Sequence, residues 1–371
     1  MAKNSKDLLL QLTSNQVEGP FVTIMLNTQV AFQQVEKSHL KFKNFVKEAK
    51  QRYEKRYPNL DWSVIQEKAD SILNDRDFWR NGSKSLAIIL TPHETFVHPL
   101  SIEVDDQYYV GDTPYLLAII KNAQFNYSYY VLALNRDSMA LYKMENKKLV
   151  EVPLPADAPT TLEIALGTER DDSRGVLHYR SSSNLGNHAG HGTNTKEEEL
   201  EIDWSNYYLA VGKYLKDFFE TEEKLPVFLY GLPENQTLFR KVVRSIHVDQ
   251  TISVPSSPTQ LSLQELEKNL ESIQKELQEK EVLAYQRLMD GKYVHHLSDI
   301  KQSAKTGRIG QLFIATSNLT DGFGDDPDTE YDWRQELNSL SIDTLINGGD
   351  VYVLEQKNAP GQKGLIASLR Y

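Results

Sequence analysis

Apolar runs bounded by prolines and polar turns divide the first 121 residues into strands and helices. Residues 21–28 follow Pro20 as an unbroken run of apolar and β-branched side chains, which predicts a strand buried on both faces. Residues 33–56 carry apolar side chains at helical spacing and predict an amphipathic helix. The further elements predicted here are a helix, a strand pair and an apolar segment: 62–78, 85–91 with 94–98, and 115–120.

Residues 122–254 predict a meander followed by a helix, a strand and a helix. Three short strands come first, and a tight turn at residues 135–137 joins two of them. Strands grouped early, with helices and one strand after them, predict a mixed sheet with helices packed on it. The elements are 129–134, 139–143, 148–152, 204–219, 226–230 and 234–246.

Residues 255–371 follow a linker at residues 253–258, where prolines and serines disfavour regular structure. A long helix begins at Ser262, with Glu265 in position for a capping box, and closes at residues 290–291. Its apolar seam covers fewer than four heptads, so we expect it to pack within the chain rather than to form a free coiled coil. The elements after it predict an α/β sandwich: 297–306, 311–316, 333–346, 351–355 and 365–370.

Residues 174–199 lie between the elements of the middle part and are dominated by glycine, serine and asparagine. Such a composition cannot form a packed core, so we expect an exposed loop. Structureless loops beyond about 12–15 residues are usually functional or disordered. Glutamates 197–199 are expected to begin the next helix, because acidic residues favour a helix N-terminus.

The 371 residues contain no cysteine and carry a formal net charge of -11. Without cysteine, disulfides and thiolate chemistry are excluded, and a metal would need histidine and carboxylate ligands. The acidic balance argues against a protein that coats nucleic acid through its overall charge, and no DNA partner is expected. The sequence shows neither a bilayer-spanning apolar run nor the apolar core of a signal peptide, which predicts a cytoplasmic protein without a membrane partner.

The predicted helix at residues 33–56 concentrates positive charge away from its apolar side chains. Two interpretations stay open, a solvated helix surface or a stripe that faces the phosphates of RNA. The candidate RNA-binding residues of this stripe are Lys41, Lys43, Lys47 and Lys50.

Four stretches together resemble the archaeo-eukaryotic peptide-chain release factor and Pelota superfamily, in particular its bacterial release-factor-like branch. They are the opening strand before the basic helix, a hairpin with Tyr-Val-Leu-Ala-Leu-Asn, a glycine-arginine step before a strand, and a closing Leu-Arg-aromatic: 21–28, 130–142, 307–314 and 364–371. The order and spacing of these stretches over nearly the whole chain carry the resemblance.

The resemblance implies an α/β (α+β) fold with three domains. These are an N-terminal α/β domain, a middle domain with a ribonuclease H-like mixed sheet, and a C-terminal α/β sandwich like the kink-turn-binding ribosomal proteins. The implied bounds are 1–121, 122–254 and 255–371.

Release factors of this superfamily present a Gly-Gly-Gln loop of the middle domain to the ester of peptidyl-tRNA. Glycines let the backbone approach the ester, while the glutamine and a backbone amide help to place water and stabilise the departing oxygen. The corresponding loop here has Gly190, His191 and Gly192, without the glutamine. Pelota-type members also lack the glutamine, and they rescue stalled ribosomes without cutting the ester.

Three interpretations of the loop therefore stay open. It could form a hydrolytic tip in which His191 accepts a proton from water. It could instead be an arm without chemistry that contacts the phosphates of the ribosome or tRNA, or a disordered surface loop. The candidate phosphate contacts are Arg170, Arg174, Arg180 and Lys196.

No cofactor and no metal are expected. His178, His188 and His191 lie near carboxylates in the sequence, but their spacing matches none of the short zinc-ligand signatures. His295 and His296 are interpreted as a polar pair at a helix start. Neither a P-loop nor a Gly-x-Ser-x-Gly or Ser-His-Asp arrangement is found.

The leading hypothesis is a translation-associated factor that binds ribosomes or tRNA and acts in ribosome rescue or peptide release. The alternative is a non-catalytic adaptor that keeps the release-factor fold and binds RNA or a protein. The acidic net charge leaves room for such a protein partner.

Overall fold

The computed structural model describes residues 5–14, 17–28, 32–80, 83–167, 194–315 and 327–371. Within these ranges the strands form three sheets and helices accompany them, so the predicted mixed α/β class is confirmed. The chain divides into two compact units. The terminal unit contains Met1–Phe125 and Lys280–Tyr371, and the inserted unit contains Asn126–Glu279.

The first sheet of the terminal unit contains β1 Phe21–Asn27, β2 Ser85–Leu90, β3 Thr95–Leu100 and β4 Gln107–Gly111. These strands are antiparallel in the order β3-β2-β1-β4. The six side chains of β2 and the first six of β1 are buried, as their unbroken apolar runs predict. The strand pair across Pro92 is confirmed, whereas β4 was not predicted.

The helices described around this sheet are α1 Ser5–Thr13, α2 Phe32–Arg56, α3 Ser63–Asn74, α4 Arg76–Arg80 and α5 Leu117–Ala123. The single helix predicted over residues 62–78 is wrong, because the chain breaks at Asp75. The backbone of Asp75 is extended, and its carboxylate Oδ1 accepts hydrogen bonds from the amides of Asp77 and Phe78, both at 3.0 Å. This carboxylate therefore starts a new helix.

The inserted unit contains a mixed sheet, as predicted. Its strands are β5 Tyr129–Leu134, β6 Met139–Glu145, β7 Lys148–Glu151, β8 Val227–Gly231 and β9 Val248–Val254. In the order β7-β6-β5-β8-β9, the first three form the predicted antiparallel meander, and β5, β8 and β9 run parallel.

Helices cover both faces of this mixed sheet. They are α6 Leu162–Leu166, α7 Asn194–Thr221, α8 Pro233–Val242, α9 Leu263–Asn269 and α10 Glu271–Gln286, whose last residues belong to the terminal unit. α7 and α8 pack on the face that carries Leu132, and α9 and α10 pack on the face that carries Val131. Adjacent strand residues thus serve opposite cores.

Two predicted bounds in the inserted unit are corrected. α8 ends at Val242 rather than at residue 246. α7 begins at Asn194, so the last residues of the predicted loop 174–199 are helical. The glutamates at 197–199 are helical, as expected, but the helix begins three residues before them.

The long helix predicted from Ser262 is interrupted near Leu270. The backbone amide of Leu270 shares the carbonyls of Leu266 and Glu267, at 3.1 and 3.2 Å, which ends α9 before α10 starts. A 3-10 turn at Arg287–Asp290 follows α10. The predicted capping box of Ser262 is confirmed.

The second sheet of the terminal unit contains β10 Tyr293–Val294, β11 Ile309–Ala315, β12 Asp350–Leu354 and β13 Leu365–Leu369. Their order is β10-β13-β11-β12, with β11 and β12 parallel and the other neighbours antiparallel. The helices α11 Leu297–Lys305 and α12 Pro327–Ile346 accompany it, and 3-10 turns lie at Gln356–Asn358 and Pro360–Gln362. Among the helices described in the whole chain, none is both long and apolar enough to cross a membrane.

One hydrophobic core joins the two sheets of the terminal unit. It contains Ile89 and Tyr115 from the first part of the chain and Leu312, Leu340 and Val353 from the last part. The two parts are therefore held together by buried apolar surface, the dominant favourable term in folding.

Polar side chains of α12 reinforce this core. The guanidinium of Arg334 donates to Asp105 Oδ2 and to Gln107 Oε1, both at 2.7 Å, and the side chains of Arg334 and Asp105 are buried. Asn338, fully buried, donates to Pro114 O at 2.9 Å and accepts from the amide of Leu116 at 2.7 Å. Because an unpaired buried polar group is costly, these bonds fix the position of α12 on the first sheet.

Candidate functional site

The structure describes only part of the predicted site. Gly190, His191, Gly192, Arg174 and Arg180 lie outside the described residues. Lys196 lies in the first turns of α7, and its side chain is not among those described. The histidines considered as zinc ligands, at positions 178, 188 and 191, also lie outside the described ranges.

The ends of the segment that carries His191 are positioned by α6 and α7. Tyr208 of α7 donates a hydrogen bond to Asn135 O, just past the carboxyl end of β5, at 3.0 Å. Phe218 and Phe219 contact Tyr130 near the start of β5, with ring centroids 5.5 and 5.6 Å apart. α7 therefore runs antiparallel to β5, with its N-terminus towards the carboxyl end of that strand.

The start of α7 extends well past the level of Tyr208. A helix rises about 1.5 Å per residue, so Asn194 lies roughly 20 Å further along the helix axis than Tyr208. Tyr207 anchors the helix at this level by donating to Pro159 O at 3.1 Å. The inserted unit thus holds the point where the chain re-enters α7 beyond the carboxyl end of β5.

The predicted basic stripe of α2 divides between two sides of the helix. Lys43, Lys47 and Lys50 are exposed and follow one another at spacings of four and three residues, which places them on one side. We call this side the lysine face. Lys50 lies 3.7 Å from Glu54, and in the part of the chain described here Lys43 and Lys47 make no ion pair.

Lys41 lies on another side of α2, where cations contact groups of the terminal unit. Lys41 forms an ion pair with Asp106. The guanidinium of Arg52 lies 3.8 Å from the ring centroid of Tyr331. Lys41 is therefore occupied by an internal contact. It does not lie on the lysine face, because residues two apart do not share a side of a helix.

A further internal cluster forms around Asp112, at the C-terminal end of α2. Tyr57 OH and Arg56 Nη2 donate to the Asp112 carboxylate at 2.6 and 2.7 Å. The hydrogen bond from Tyr57, and next the one from Arg56, lower the pKa of Asp112. These contacts tie the C-terminal end of α2 to the end of β4, so that the lysine face is carried by a helix fixed along its length.

Buried apolar residues of α2 pack the helix that carries the lysine face against the first sheet. Phe42, Val46, Ala49 and Tyr53 of α2 are buried in the core on the first sheet. They recur at spacings of four, three and four residues, the period of one helix face. The helix therefore presents its lysines to solvent while its other contacts prevent it from rolling.

The described residues contain no ligand set of a metal site. Across the described ranges, no group of three or more histidine, cysteine or acidic side chains is arranged to hold a metal ion.

The sequence of the inserted unit matches a known family. Residues 127–276 match a family of release-factor-like proteins, which confirms the resemblance to the bacterial branch of the release factor and Pelota superfamily. The family is described as bacterial archaeo-eukaryotic release factor family 6, and the match covers about two fifths of the chain. No curated protein matches the chain.

Several solved structures are also similar to the chain. Pelota from Archaeoglobus fulgidus is 14% identical, with 77% of this chain and 79% of that one covered and a TM-score of 0.38. A model of ribosome-bound archaeal Pelota and ABCE1 is 9% identical, with 100% of this chain and 95% of that one covered and a TM-score of 0.38. Dom34 from S. cerevisiae, a translation termination-like factor, is 11% identical, with 100% of this chain and 93% of that one covered and a TM-score of 0.33. Because these TM-scores lie below 0.5, no argument rests on these likenesses, and the resemblance rests on the family match of residues 127–276.

Proposed function

We propose that this protein is a ribosome-associated factor that acts in ribosome rescue or peptide release. The family match supports a translation-related role, and the lysine face supports contact with RNA. Ribosomal RNA and tRNA are the partners that such a role supplies.

The observation that carries the proposal is the exposure of Lys43, Lys47 and Lys50 on one side of α2. The chain as a whole carries a net charge of -11, so overall electrostatics oppose RNA binding. A fixed helix with three neighbouring ammonium groups overcomes this locally, since phosphate contacts are made by individual lysines and arginines. Contacts of this kind release counterions and weaken as salt rises.

The segment between α6 and α7 is the proposed contact with the end of peptidyl-tRNA. It contains Gly190, His191 and Gly192 and re-enters the described chain at Asn194, beyond the carboxyl end of β5. Two versions of its role follow from its residues. His191 accepts a proton from the attacking water, or the segment contacts RNA through Arg174, Arg180 and Lys196 without chemistry.

Co-sedimentation with empty and stalled 70S ribosomes at two salt concentrations tests the proposal. We expect binding that prefers stalled ribosomes and weakens with salt. Charge reversal of the lysine face, Lys43→Glu with Lys47→Glu and Lys50→Glu, should weaken binding at least tenfold at low salt, as expected for about three lost phosphate contacts.

The matched control reverses three exposed lysines of the inserted unit that make no ion pair within the described residues. These are Lys224, Lys268 and Lys275, and their reversal changes the net charge by the same amount. Equal losses in the two triple variants would show a general charge effect and would remove the lysine face from the interface. Absence of ribosome binding by the unmodified protein would instead favour an adaptor that retains the release-factor fold.

A peptide-release assay on the same complexes separates the two versions of the segment. If His191 takes the proton, His191→Ala should lower cleavage of peptidyl-tRNA by well over tenfold and leave ribosome binding intact. An unchanged rate would remove His191 from the mechanism and leave the contact role.

A further inference from the structure

A cluster of exposed rings lies at the edge of the second sheet of the terminal unit, in a part of the molecule that the proposed ribosome contact does not use. Tyr293 lies in β10, the short edge strand, paired with Ser368 of β13. His295 and His296 follow it directly and lead into α11. We call Tyr293, His295 and His296 the ring cluster.

The rings are close together and face solvent. The ring centroids of Tyr293 and His295 are 6.2 Å apart, and those of His295 and His296 are 4.3 Å apart. Tyr293 is 36% exposed, and both histidines are exposed. Within the described residues neither histidine ring makes a hydrogen bond, and none of the three rings belongs to a hydrophobic core.

Two lysines lie near the rings. Lys292, which precedes Tyr293, is exposed, and Lys363 lies near His295. Desolvation lowers the pKa of His295, and the charges of Lys363 and His296 lower it further, against the opposite effect of Asp299. The site therefore combines stackable rings with ammonium groups.

We propose that the ring cluster is a stacking site for single-stranded RNA. Aromatic and imidazole rings bind unpaired bases through their faces, and this stacking tolerates any base. Lysines beside the rings suit the phosphates that connect successive bases. A double helix would hide its bases from such a surface, so the cluster fits an unpaired strand.

The position of the cluster supports this assignment over a role in folding. β10 has two residues and pairs on one side only, so a flexible strand can approach the rings without displacing another element. The core of the second sheet is filled by other residues, such as Phe313 and Ile366. The rings are thus available for a ligand.

Fluorescence anisotropy with a labelled ten-nucleotide oligouridine tests the proposal on the full chain, without ribosomes. The double variant Tyr293→Ala with His295→Ala should weaken binding about tenfold, since one stacked base is typically worth a factor of this size. Tyr293→Phe, which keeps the ring, should bind like the unmodified protein. Circular dichroism of each variant checks that the fold is kept.

The matched control is Trp333→Ala, which removes a ring of similar exposure, 40%, from α12 in the same unit. It should leave the affinity within about twofold, as expected for a surface ring outside the site. The assignment is overturned if the unmodified protein does not bind oligouridine, or if Trp333→Ala weakens binding as much as the double variant. It is also overturned if reversal of the lysine face abolishes binding while the double variant retains it.

These outcomes are independent of the proposed function. Loss of ribosome binding in the lysine-face variant concerns α2, whereas loss of oligouridine binding in the double variant concerns β10. Either proposal can fail while the other stands.

Discussion

His98 is a buried histidine in β3, where it is 5% exposed and lies opposite Ala87 of β2. Burial disfavours the charged imidazolium and lowers its pKa below the usual value. Between the folded and unfolded pKa values the unfolded chain binds more protons, so stability rises with pH in that window. We therefore expect stability to fall as the pH drops from 7 towards 5.

The variant His98→Gln should remove this contribution, because glutamine does not titrate. Urea unfolding at pH 7 and pH 5 should show a smaller loss of unfolding free energy in the variant than in the unmodified protein. The difference is bounded by about 1.4 kcal/mol per pH unit for one proton. Identical losses in both proteins would mean that His98 is protonated in the folded state as readily as in the unfolded one.

Lys41 and Lys43 show which part of the candidate site could be predicted from residues alone. Exposure of charged side chains on a long helix is readable from the apolar period, and Lys43, Lys47 and Lys50 are exposed. The spacing of two residues between Lys41 and Lys43 also indicates different sides. The partner of Lys41 could not be predicted, because Asp106 lies 65 residues further along the chain.

The apolar seam of α9 and α10 is an element whose packing decides its role. Leu270 and Ile273 are fully buried against the mixed sheet, whereas Leu263 at the start of α9 is 42% exposed. The expectation of packing within the chain is confirmed. A seam used between chains would instead leave its central leucines on the surface of each chain.

Truncation of two leucines in this seam gives a matched test. Leu270→Ala should cost about 3 kcal/mol of unfolding free energy, since it removes a fully buried side chain and leaves a cavity. Leu263→Ala should cost less than about 1 kcal/mol, because its side chain is partly exposed. Urea unfolding measures both. Equal costs, together with a melting temperature that depends on protein concentration, would contradict internal packing.

β4 was missed because its signal is not local. β4 follows two aspartates and contains Gln107, yet it pairs with β1 and receives Arg334 at Gln107 Oε1. The apolar runs of β1 and β2 were predicted because both faces of these strands are buried. Strands that depend on partners distant in sequence show a weaker pattern, since tertiary contacts override local preference.

At the scale of the whole molecule, the terminal unit is built from the two ends of the chain. Residues from Met1–Phe125 and from Lys280–Tyr371 share one core, in addition to the core that α2 and the first sheet form within the first part. Gln124 adds a polar link: its side-chain amide donates to Val353 O at 2.7 Å and accepts from Val353 N at 2.9 Å. A side chain thus occupies the place of a neighbouring strand at the edge of β12. The sequence pattern cannot show this pairing, because the two residues are 229 positions apart.

Substitution of Arg334 tests whether the two sheets of the terminal unit unfold together. Arg334→Met leaves Asp105 buried without its cation, which should cost about 3–5 kcal/mol. Because the two parts share a core, amide hydrogen exchange should accelerate both in β1 and β4 and in β11 and β12. Exchange in β5 and β8 of the inserted unit should stay unchanged.

The control for this variant is Lys301→Met in α11, which removes a partly exposed ion pair to Glu336 of α12, at 2.6 Å. Such pairs contribute at most about 1 kcal/mol, so exchange should change little. Acceleration in Arg334→Met that is confined to β11 and β12 would show that the first sheet opens independently. The shared core would then be a contact between two separately stable parts. Acceleration in both sheets, with the inserted unit unaffected, would mean that the two sheets of the terminal unit open in one cooperative step.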